Sequence, residues 1–345
     1  MRLIPTFLSS ERARRAFLAS VIALLCVPLL GACRGGSGGG QPRKADTGQA
    51  LRPDEDPRVR PHLQQFARVE AMITRWDSLR ANGRNPEAMA LAPSITQSVD
   101  ADYGTFERAA RGELGLYAQY LAVSALGFAT SPAATQVLVE QVAGRDGKLA
   151  GNAFIALGIR ADPNTPVDLL IARLGPTQPL EVKRYAPLAL SKVLDARTAA
   201  GMPSNQAQER QAMARLGAIV VDPDPITRLH VAKAMAAMRV QGTYEYLRVL
   251  TGDPVMRVRW AAASALERQG DPRGFPAVVQ LLAEVAPDSK HIIRDILIAY
   301  AGRLQGRPLT GGEVASLGIG PRAWSQWYHQ YTRTRGAGAT PAPPR

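Results

Sequence analysis

Cysteine is almost absent from this 345-residue sequence, and its two cysteines, Cys26 and Cys33, both lie near the N-terminus. The body of the chain after Cys33 can therefore form neither an internal disulfide nor a cysteine-ligated metal site. Aromatic residues are also few, at 6% of the sequence, whereas apolar residues as a whole make up 46%. A sequence rich in small apolar residues and poor in aromatic ones is typical of an α-rich soluble protein whose helices pack closely.

Motifs for catalysis and metal binding are missing as well. No histidine is followed by Glu, and no two histidines share the spacing of metal ligands on a helix. The sequence has no Gly-x-Ser-x-Gly element, no phosphate-binding loop and no Gly-x-Gly-x-x-Gly that opens a helix after a strand. We therefore predict a non-catalytic protein with no metal site and no cofactor. The histidines are His62, His230, His291 and His329, of which we expect His230 and His291 to be surface or partly buried helix residues.

Charge is unbalanced toward the basic side. The sequence has 42 Lys and Arg against 29 Asp and Glu, a formal net charge of +13. Such a surplus favours anionic partners, whether nucleic acid, anionic lipid headgroups or acidic proteins, and does not choose among them. Arginines crowd the C-terminal part of the chain, and the candidate binding surface that they suggest consists of Arg257, Arg268, Arg273 and Arg303.

The N-terminus has the layout of an export signal. Several arginines precede an apolar run at residues 16–30, which is shorter than the roughly 20 residues that a membrane-spanning helix needs. The run ends in Leu30-Gly31-Ala32-Cys33, and this tetrapeptide resembles the lipobox of bacterial lipoproteins. The alternatives are an uncleaved anchor and an ordinary signal peptide that is cut after Ala32.

The lipoprotein resemblance implies a signal peptide at residues 1–32 and a lipid on Cys33, which becomes the first residue of the mature chain. Because Arg34 rather than Asp follows the cysteine, the resemblance also implies the periplasmic face of the outer membrane. Residues 33–56 are Gly-rich and then polar, which predicts a flexible tether between the lipid and the folded part.

A recurring Ala-Leu pair organises the rest of the chain. The pairs are Ala125-Leu126, Ala156-Leu157, Ala189-Leu190, the approximate copy Ala234-Met235, and Ala265-Leu266. The steps between them are 31, 33, 45 and 31 residues, and we attribute the long step to an inserted loop at residues 195–205. Apolar residues at helical spacing on both sides of a turn predict one helical hairpin per copy. Each hairpin needs its neighbours to cover its apolar faces.

The repeats predict an all-α fold, an α-solenoid of about six helical hairpins at residues 113–318. The predicted units are residues 113–144, 145–175, 179–221, 222–251, 253–286 and 288–318. A helical cap at residues 57–112, with a loop at Pro93, precedes them, although a divergent first repeat fits this segment equally well.

A predicted aromatic cap helix at residues 319–333 follows the array, and a disordered tail is expected at residues 334–345. The aromatic residues of this helix are spaced i, i+3, i+4 and i+7, so they share one face; they are Trp324, Trp327, Tyr328 and Tyr331. We expect this face to close the exposed core of the last repeat. The alternative is an aromatic platform that binds a sugar ring or a peptide.

A second marker is an acid followed six residues later by Arg. It occurs in three consecutive units, at Asp222/Arg228, Asp253/Arg259 and Asp288/Arg294. Together with the Ala-Leu pairs, this marker resembles the HEAT-repeat family, and more narrowly the phycobilisome-lyase type of HEAT-like repeat, over roughly residues 113–305. The resemblance implies that the acids and arginines face neighbouring copies and form a ladder of ion pairs down the stack. The first three units depart from it, with Gln119, Ala150 and Lys183 at the Arg position.

The resemblance and the N-terminal signal together imply a non-catalytic scaffold, tethered by lipid, that binds an unknown protein partner in the cell envelope. One alternative is an enzyme or enzyme accessory, as in HEAT-like lyases, with its site in a concave groove. Nucleic-acid binding, as in HEAT-like DNA-repair glycosylases, is a weaker alternative because an exported protein does not meet the chromosome.

Overall fold

The computed structural model describes residues 57–336, which form two compact units at residues 57–137 and 138–336. Every regular element in this range is an α-helix or a short 3₁₀ turn, and these residues contain no strand. The predicted all-α class is therefore confirmed. The predicted signal peptide and tether, the predicted lipid site Cys33 and residues 337–345 of the predicted tail lie outside the described residues.

The first unit has its own apolar core. Its helices are α1 (Leu63–Ala81), α2 (Asn85–Asp100), α3 (Tyr103–Ala110), α4 (Leu116–Leu126) and the start of α5 (Ala133–Ala143), which crosses into the second unit. The ring of Phe66 on α1 meets Phe106 of α3 edge-on, with centroids 5.3 Å apart. Trp76, further along α1, meets Phe128 edge-on at 5.1 Å. Helix α1 ends at Ala81, before Gly83, whose φ of 74° suits glycine.

Pro93 does not interrupt the chain, and the predicted loop there is wrong. Helix α2 runs through Pro93 from Asn85 to Asp100. Proline removes one helical hydrogen bond, but Pro93 is exposed, so its ring meets no packed neighbour. The opposite face of the helix is anchored by Ile95 and Val99, which are fully buried. Burial of that face holds the helix together across the missing bond.

The second unit is built from helix pairs. After α5 come α6 (Gly147–Arg160), α7 (Val167–Ala172), α8 (Leu180–Ala199), α9 (Gln206–Gly217), α10 (Pro225–Ala237), α11 (Thr243–Thr251), α12 (Met256–Gln269), α13 (Phe275–Glu284), α14 (Lys290–Gln305), α15 (Gly311–Leu317) and α16 (Pro321–Gly336). Each of the six predicted repeat units contains two helices. The boundary between the compact units falls inside the first predicted repeat, because its first helix, α4, packs on α1 and α3.

The first helices of successive hairpins pack directly on one another. Helix α8 lies against both α6 and α10, and α12 lies against both α10 and α14. The alanines of the recurring pair are fully buried in this layer; in the second unit they are Ala156, Ala189, Ala234 and Ala265. An alanine has no side-chain atom beyond Cβ, so it allows a short distance between helix axes. This stack of hairpins is the α-solenoid arrangement that the repeat spacing predicts.

The inserted segment between α8 and α9 is shorter than predicted. Helix α8 continues to Ala199, so that only residues 200–205 connect the two helices. The last turns of α8 are held by Asp195, which is bonded to Arg268 of α12. The extra residues in the long repeat step therefore lengthen a helix as well as a loop.

Helix α16 lies against α13 with its aromatic face inward. Trp324 is fully buried, and the ring of Tyr328 stacks on Phe275 of α13 with centroids 5.3 Å apart. The Tyr328 hydroxyl donates to the carbonyl oxygen of Pro272 at 2.9 Å, and the Trp324 indole N–H donates to that of Gly318 at 3.2 Å. This chain's own residues thus cover Trp324 and one face of the Tyr328 ring.

Candidate interaction surface

Arg228 joins two neighbouring hairpins. Its guanidinium, on the first turns of α10, donates to both carboxylate oxygens of Asp253, at 2.6 and 2.9 Å, just before α12 begins. A third hydrogen bond, at 2.7 Å, reaches the carbonyl oxygen of Asp222 in its own repeat. Asp253 in turn accepts from the backbone N–H of Val255 at 2.8 Å, which fixes the turn into α12. Both charged side chains are nearly buried, so each depends on the other.

The ladder also extends to a unit where the Arg marker is missing. Lys183 stands at the Arg position of its repeat, and its ammonium lies 2.6 Å from the carboxylate of Asp222. The next residue, Arg184, pairs with Asp224 at 2.8 and 3.1 Å. Burial tends to raise the pKa of Asp224, but hydrogen bonds from Arg184 and Thr227 outweigh it and lower that pKa. Two adjacent ion pairs therefore link α8 to the start of α10.

In the last ion pair of the predicted ladder, the arginine has a different acidic partner from the one predicted. Arg259 bonds to Glu284 at the end of α13, and not to Asp288. Asp288 is exposed in the 3₁₀ turn at Pro287–Ser289, and Arg294 bonds to its own neighbour Asp295 at 3.1 Å. The acid of the last junction thus sits four residues earlier in the sequence, where helix α13 ends. The spacing rule fails here because α13 supplies a carboxylate before the turn begins.

The four arginines of the predicted basic surface do not form a free cationic patch. Arg303 pairs with Glu267 at 2.9 Å, and Arg268 is bonded to Asp195. Arg273 pairs with Asp271 at 2.6 Å and also lies over the ring of Tyr244, 4.6 Å from its centroid. The Asp271 pKa is lowered, because the bonds from Arg273 outweigh a burial that would raise it. Arg257 is exposed on the first turn of α12.

Other polar side chains cap helix ends across repeat boundaries. Arg215 of α9 donates to the carbonyl oxygens of Ala172 and Leu174, at 3.4 and 3.3 Å, where α7 ends. Gln269 of α12 donates to those of Met235 and Met238, at 2.6 and 2.8 Å, where α10 ends. These groups satisfy carbonyls that a helix terminus leaves without a partner. Some of the surplus basic residues, such as Arg215, therefore stabilise the stack of hairpins.

Four exposed aliphatic side chains lie where one hairpin leads into the next. The set, which we call the apolar edge, is Leu180, Val221, Val249 and Val255. The Lys183–Asp222 and Arg228–Asp253 pairs hold the N-terminal ends of α8, α10 and α12 side by side, so these junctions share one edge of the unit. Val221 is the most exposed of the four, at 73% of its surface. Among the described residues of this unit, only one further large apolar side chain, Ile319, is comparably exposed.

A wide, open groove of about 630 Å³ lies along α1 of the first unit, with Glu70 and Arg75 in its lining. A cavity of about 20 Å³ lies under residues 202–205, with Glu209 and Arg197 in its lining, and has room for about one water molecule. No three His, Cys, Asp or Glu side chains of the described chain lie together as a metal site would need. His230, which we expected at or near the surface, is fully buried between α8 and α10. Among the helices of residues 57–336, none combines the length and apolar character needed to cross a bilayer.

Residues 213–300, from the end of α9 into α14, match the family model described as HEAT repeats. Over these residues the chain is similar to HEAT repeats. The match covers two complete hairpins, α10 with α11 and α12 with α13, and it includes the Arg228–Asp253 ion pair. A search of curated proteins gives no match for the chain.

The apolar edge was missed by sequence reasoning. Val221 precedes Asp222-Pro223, and Val255 follows Asp253-Pro254, so both valines belong to the loops that begin a repeat. The recurrence of an aliphatic residue in these loops is visible in the sequence, but its exposure is not. Arg257, two residues after Val255, is the one member of the predicted basic surface that flanks this edge.

Proposed function

We propose that this protein is a non-catalytic scaffold of the cell envelope, anchored by a lipid on Cys33, whose HEAT repeats bind another envelope protein. HEAT repeats commonly mediate protein–protein interaction. The observation that carries the proposal is the apolar edge, a row of exposed aliphatic side chains at consecutive repeat junctions. The finer assignment to the phycobilisome-lyase type of repeat stays a prediction from the resemblance.

The alignment of these side chains along one edge supports a docking surface more strongly than their exposure alone. Single exposed aliphatic residues are ordinary on protein surfaces, whereas a contiguous apolar patch marks an interaction site. Neighbouring helices of the stack lie about 8 to 10 Å apart, so the junctions that carry Leu180, Val221 and Val255 follow one another at about that interval. A partner with apolar side chains at a matching interval could contact all three at once. An acidic group beside them would pair with the exposed Arg257.

The anchoring part of the proposal comes from the N-terminal sequence. The stretch from Leu30 to Cys33 resembles a lipobox, and Arg34 after it favours the periplasmic face of the outer membrane. Residues 33–56, if extended, reach at most roughly 80 Å. The repeats could therefore meet partners well away from the bilayer surface.

Nucleic-acid binding fits the site less well than a protein partner does. A surface that binds phosphates needs cations that are free to release counterions. Three of the four arginines of the predicted basic surface are held by carboxylates, namely Arg268, Arg273 and Arg303.

Photo-crosslinking in intact cells tests the docking surface. A photoreactive residue replaces Val221 or Val255 on the apolar edge, and in a matched control it replaces Gln241, which is exposed in the turn between α10 and α11 at the opposite edge. We expect Val221 and Val255 to give an adduct with the same envelope protein and Gln241 to give none. An identical adduct from Gln241, or no adduct from either valine, would reject this surface.

A further inference from the structure

His230 is a fully buried histidine between two consecutive repeats. It lies on α10, and its Nδ1 is 2.6 Å from the carbonyl oxygen of Arg184 on α8. A carbonyl oxygen only accepts, so Nδ1 carries the ring proton and donates it. The other ring nitrogen, Nε2, is buried and has no hydrogen-bond partner. The ring is therefore neutral, with Nδ1–H as its tautomer.

The surroundings of the His230 ring make the addition of a second proton unfavourable. Burial is the largest cause that lowers the pKa of His230, and Lys233 on the same helix is the next. Arg184 on α8 adds to the effect, and its carbonyl and Asp224 act in the opposite direction without reversing it. Asp224 is already paired with Arg184, and the remaining neighbour, Tyr185 of α8, offers its ring at 6.1 Å. The outcome is a pKa of about 3 in the closed structure.

This arrangement belongs to one junction of the stack. The position two residues after the ladder cation holds Tyr185 in the preceding repeat and Ala261 in the following one, and neither can gain a proton near neutral pH. Helices α8 and α10 are also the pair joined by Lys183–Asp222 and Arg184–Asp224. His230 is thus a titratable group at the junction that these ion pairs hold closed.

We propose that the α8–α10 junction is an acid-triggered opening point: a proton from solvent reaches Nε2 of His230 only when the two helices separate locally, so the junction opens as the solution becomes acidic. The neutral ring stabilises the closed junction above pH 6.5, the ordinary histidine pKa, and this stabilisation is lost as pH falls from 6.5 toward 3. From pH 7 to pH 5 the opening equilibrium should rise about 25-fold. Asp224 does not account for a change between pH 7 and pH 5, since its pKa is lowered from 3.8.

Opening at this point would affect the apolar edge. Leu180 lies on one side of the junction and Val221 on the other, so their spacing would change and a bound partner would be released. This consequence alone rests on the proposed function. The opening itself is measured without any partner, which keeps the two claims separate.

Hydrogen exchange of backbone amides at pH 7 and pH 5, corrected for intrinsic exchange rates, tests the proposal. In the wild type we expect the opening of α8 and α10 to rise about 25-fold at pH 5, with α12 and α14 unchanged. In His230→Asn, the side-chain amide still donates toward Arg184 but does not titrate, so the rise should disappear. His291→Asn changes an exposed histidine and should behave as the wild type.

Two results would overturn the proposal: an opening of α8 and α10 that is independent of pH in the wild type, or the same pH dependence in His230→Asn. If His230→Asn does not fold, nitrogen NMR of the wild-type ring decides. The proposal expects a neutral Nδ1–H ring in the closed form at pH 5. A doubly protonated His230 with α8 and α10 still protected would contradict it.

Discussion

Arg228 and Asp253 form a bidentate ion pair across a repeat boundary, at 2.6 and 2.9 Å, with the arginine 11% exposed and the carboxylate 4% exposed. The pair sets the position of one hairpin on the next, because Asp253 also fixes the turn from which α12 starts. Removing only one partner leaves the other charge unpaired with little access to water, which lowers the free energy of unfolding.

Substitution of this pair should therefore be strongly non-additive. We expect Arg228→Met alone to destabilise the second unit by about 3 kcal/mol or more, and the Arg228→Met, Asp253→Asn double variant to lose little beyond that. Urea unfolding of the singles and the double gives the coupling energy. The exposed pair Arg248 and Glu245, 3.5 Å apart, is the matched control and should couple by no more than about 0.5 kcal/mol. Equal coupling in both pairs would show that Arg228–Asp253 has no special role.

The close packing of first helices predicts intolerance to bulk at their buried alanines. Ala262 of α12 is fully buried, so Ala262→Trp should overpack the layer and destabilise the protein by about 3 kcal/mol. Ala299 of α14 is exposed, and Ala299→Trp should change stability by less than about 0.5 kcal/mol. Melting temperatures of the two variants give the comparison. An unchanged melting temperature for Ala262→Trp would reject this placement of the core.

Tyr328 stabilises the C-terminal end of the unit in two separable ways. Its ring stacks on Phe275, and its hydroxyl donates to the carbonyl oxygen of Pro272 at 2.9 Å. Tyr328→Phe removes only the hydrogen bond and should cost about 1 kcal/mol, whereas Tyr328→Ala also removes the stacking and should cost roughly 3 kcal/mol. Denaturant midpoints measure both. Gln330→Ala, at an exposed position two residues on, is the control and should be close to neutral. If Tyr328→Ala were equally neutral, the inward packing of α16 would be wrong.

The proposed anchor is tested by metabolic labelling with a fatty acid. The wild type should be labelled and Cys33→Ser should not, because the lipobox resemblance assigns the acyl chain to that thiol. Cys26→Ser changes the other cysteine, within the predicted signal peptide, and should keep the label. Label that persists in Cys33→Ser would refute the lipoprotein assignment.

The fold was predictable from the sequence because its main physical requirement is periodic. Buried small residues such as Ala156 and Ala265 must recur wherever one first helix packs on the next, and the sequence shows that recurrence directly. Local signals were less reliable. Pro93 predicts a loop, yet burial of the opposite face of α2 keeps the helix intact. The sequence predicts an insertion where α8 ends, because the bond from Asp195 to Arg268 of a distant helix is not visible in the sequence.

The candidate site was only partly predictable. Arg228 with Asp253 follows the repeat spacing, but Lys183 with Asp222 and Arg259 with Glu284 depend on which carboxylate the packing brings within reach. The apolar edge is not predictable from the sequence, because the exposure of a side chain depends on which residues pack around it in space. A valine in a loop has the same sequence signature whether its neighbours cover it or leave it open.

The most direct test of the central claim is the affinity for the envelope protein that crosslinks through Val221. We expect Val221→Asp combined with Val255→Asp to weaken binding at least about tenfold, since each change places a charge in an apolar contact. Gln241→Asp, at the opposite edge, should bind as the wild type does. If the double variant binds within about twofold of the wild type while remaining folded, the apolar edge does not dock the partner.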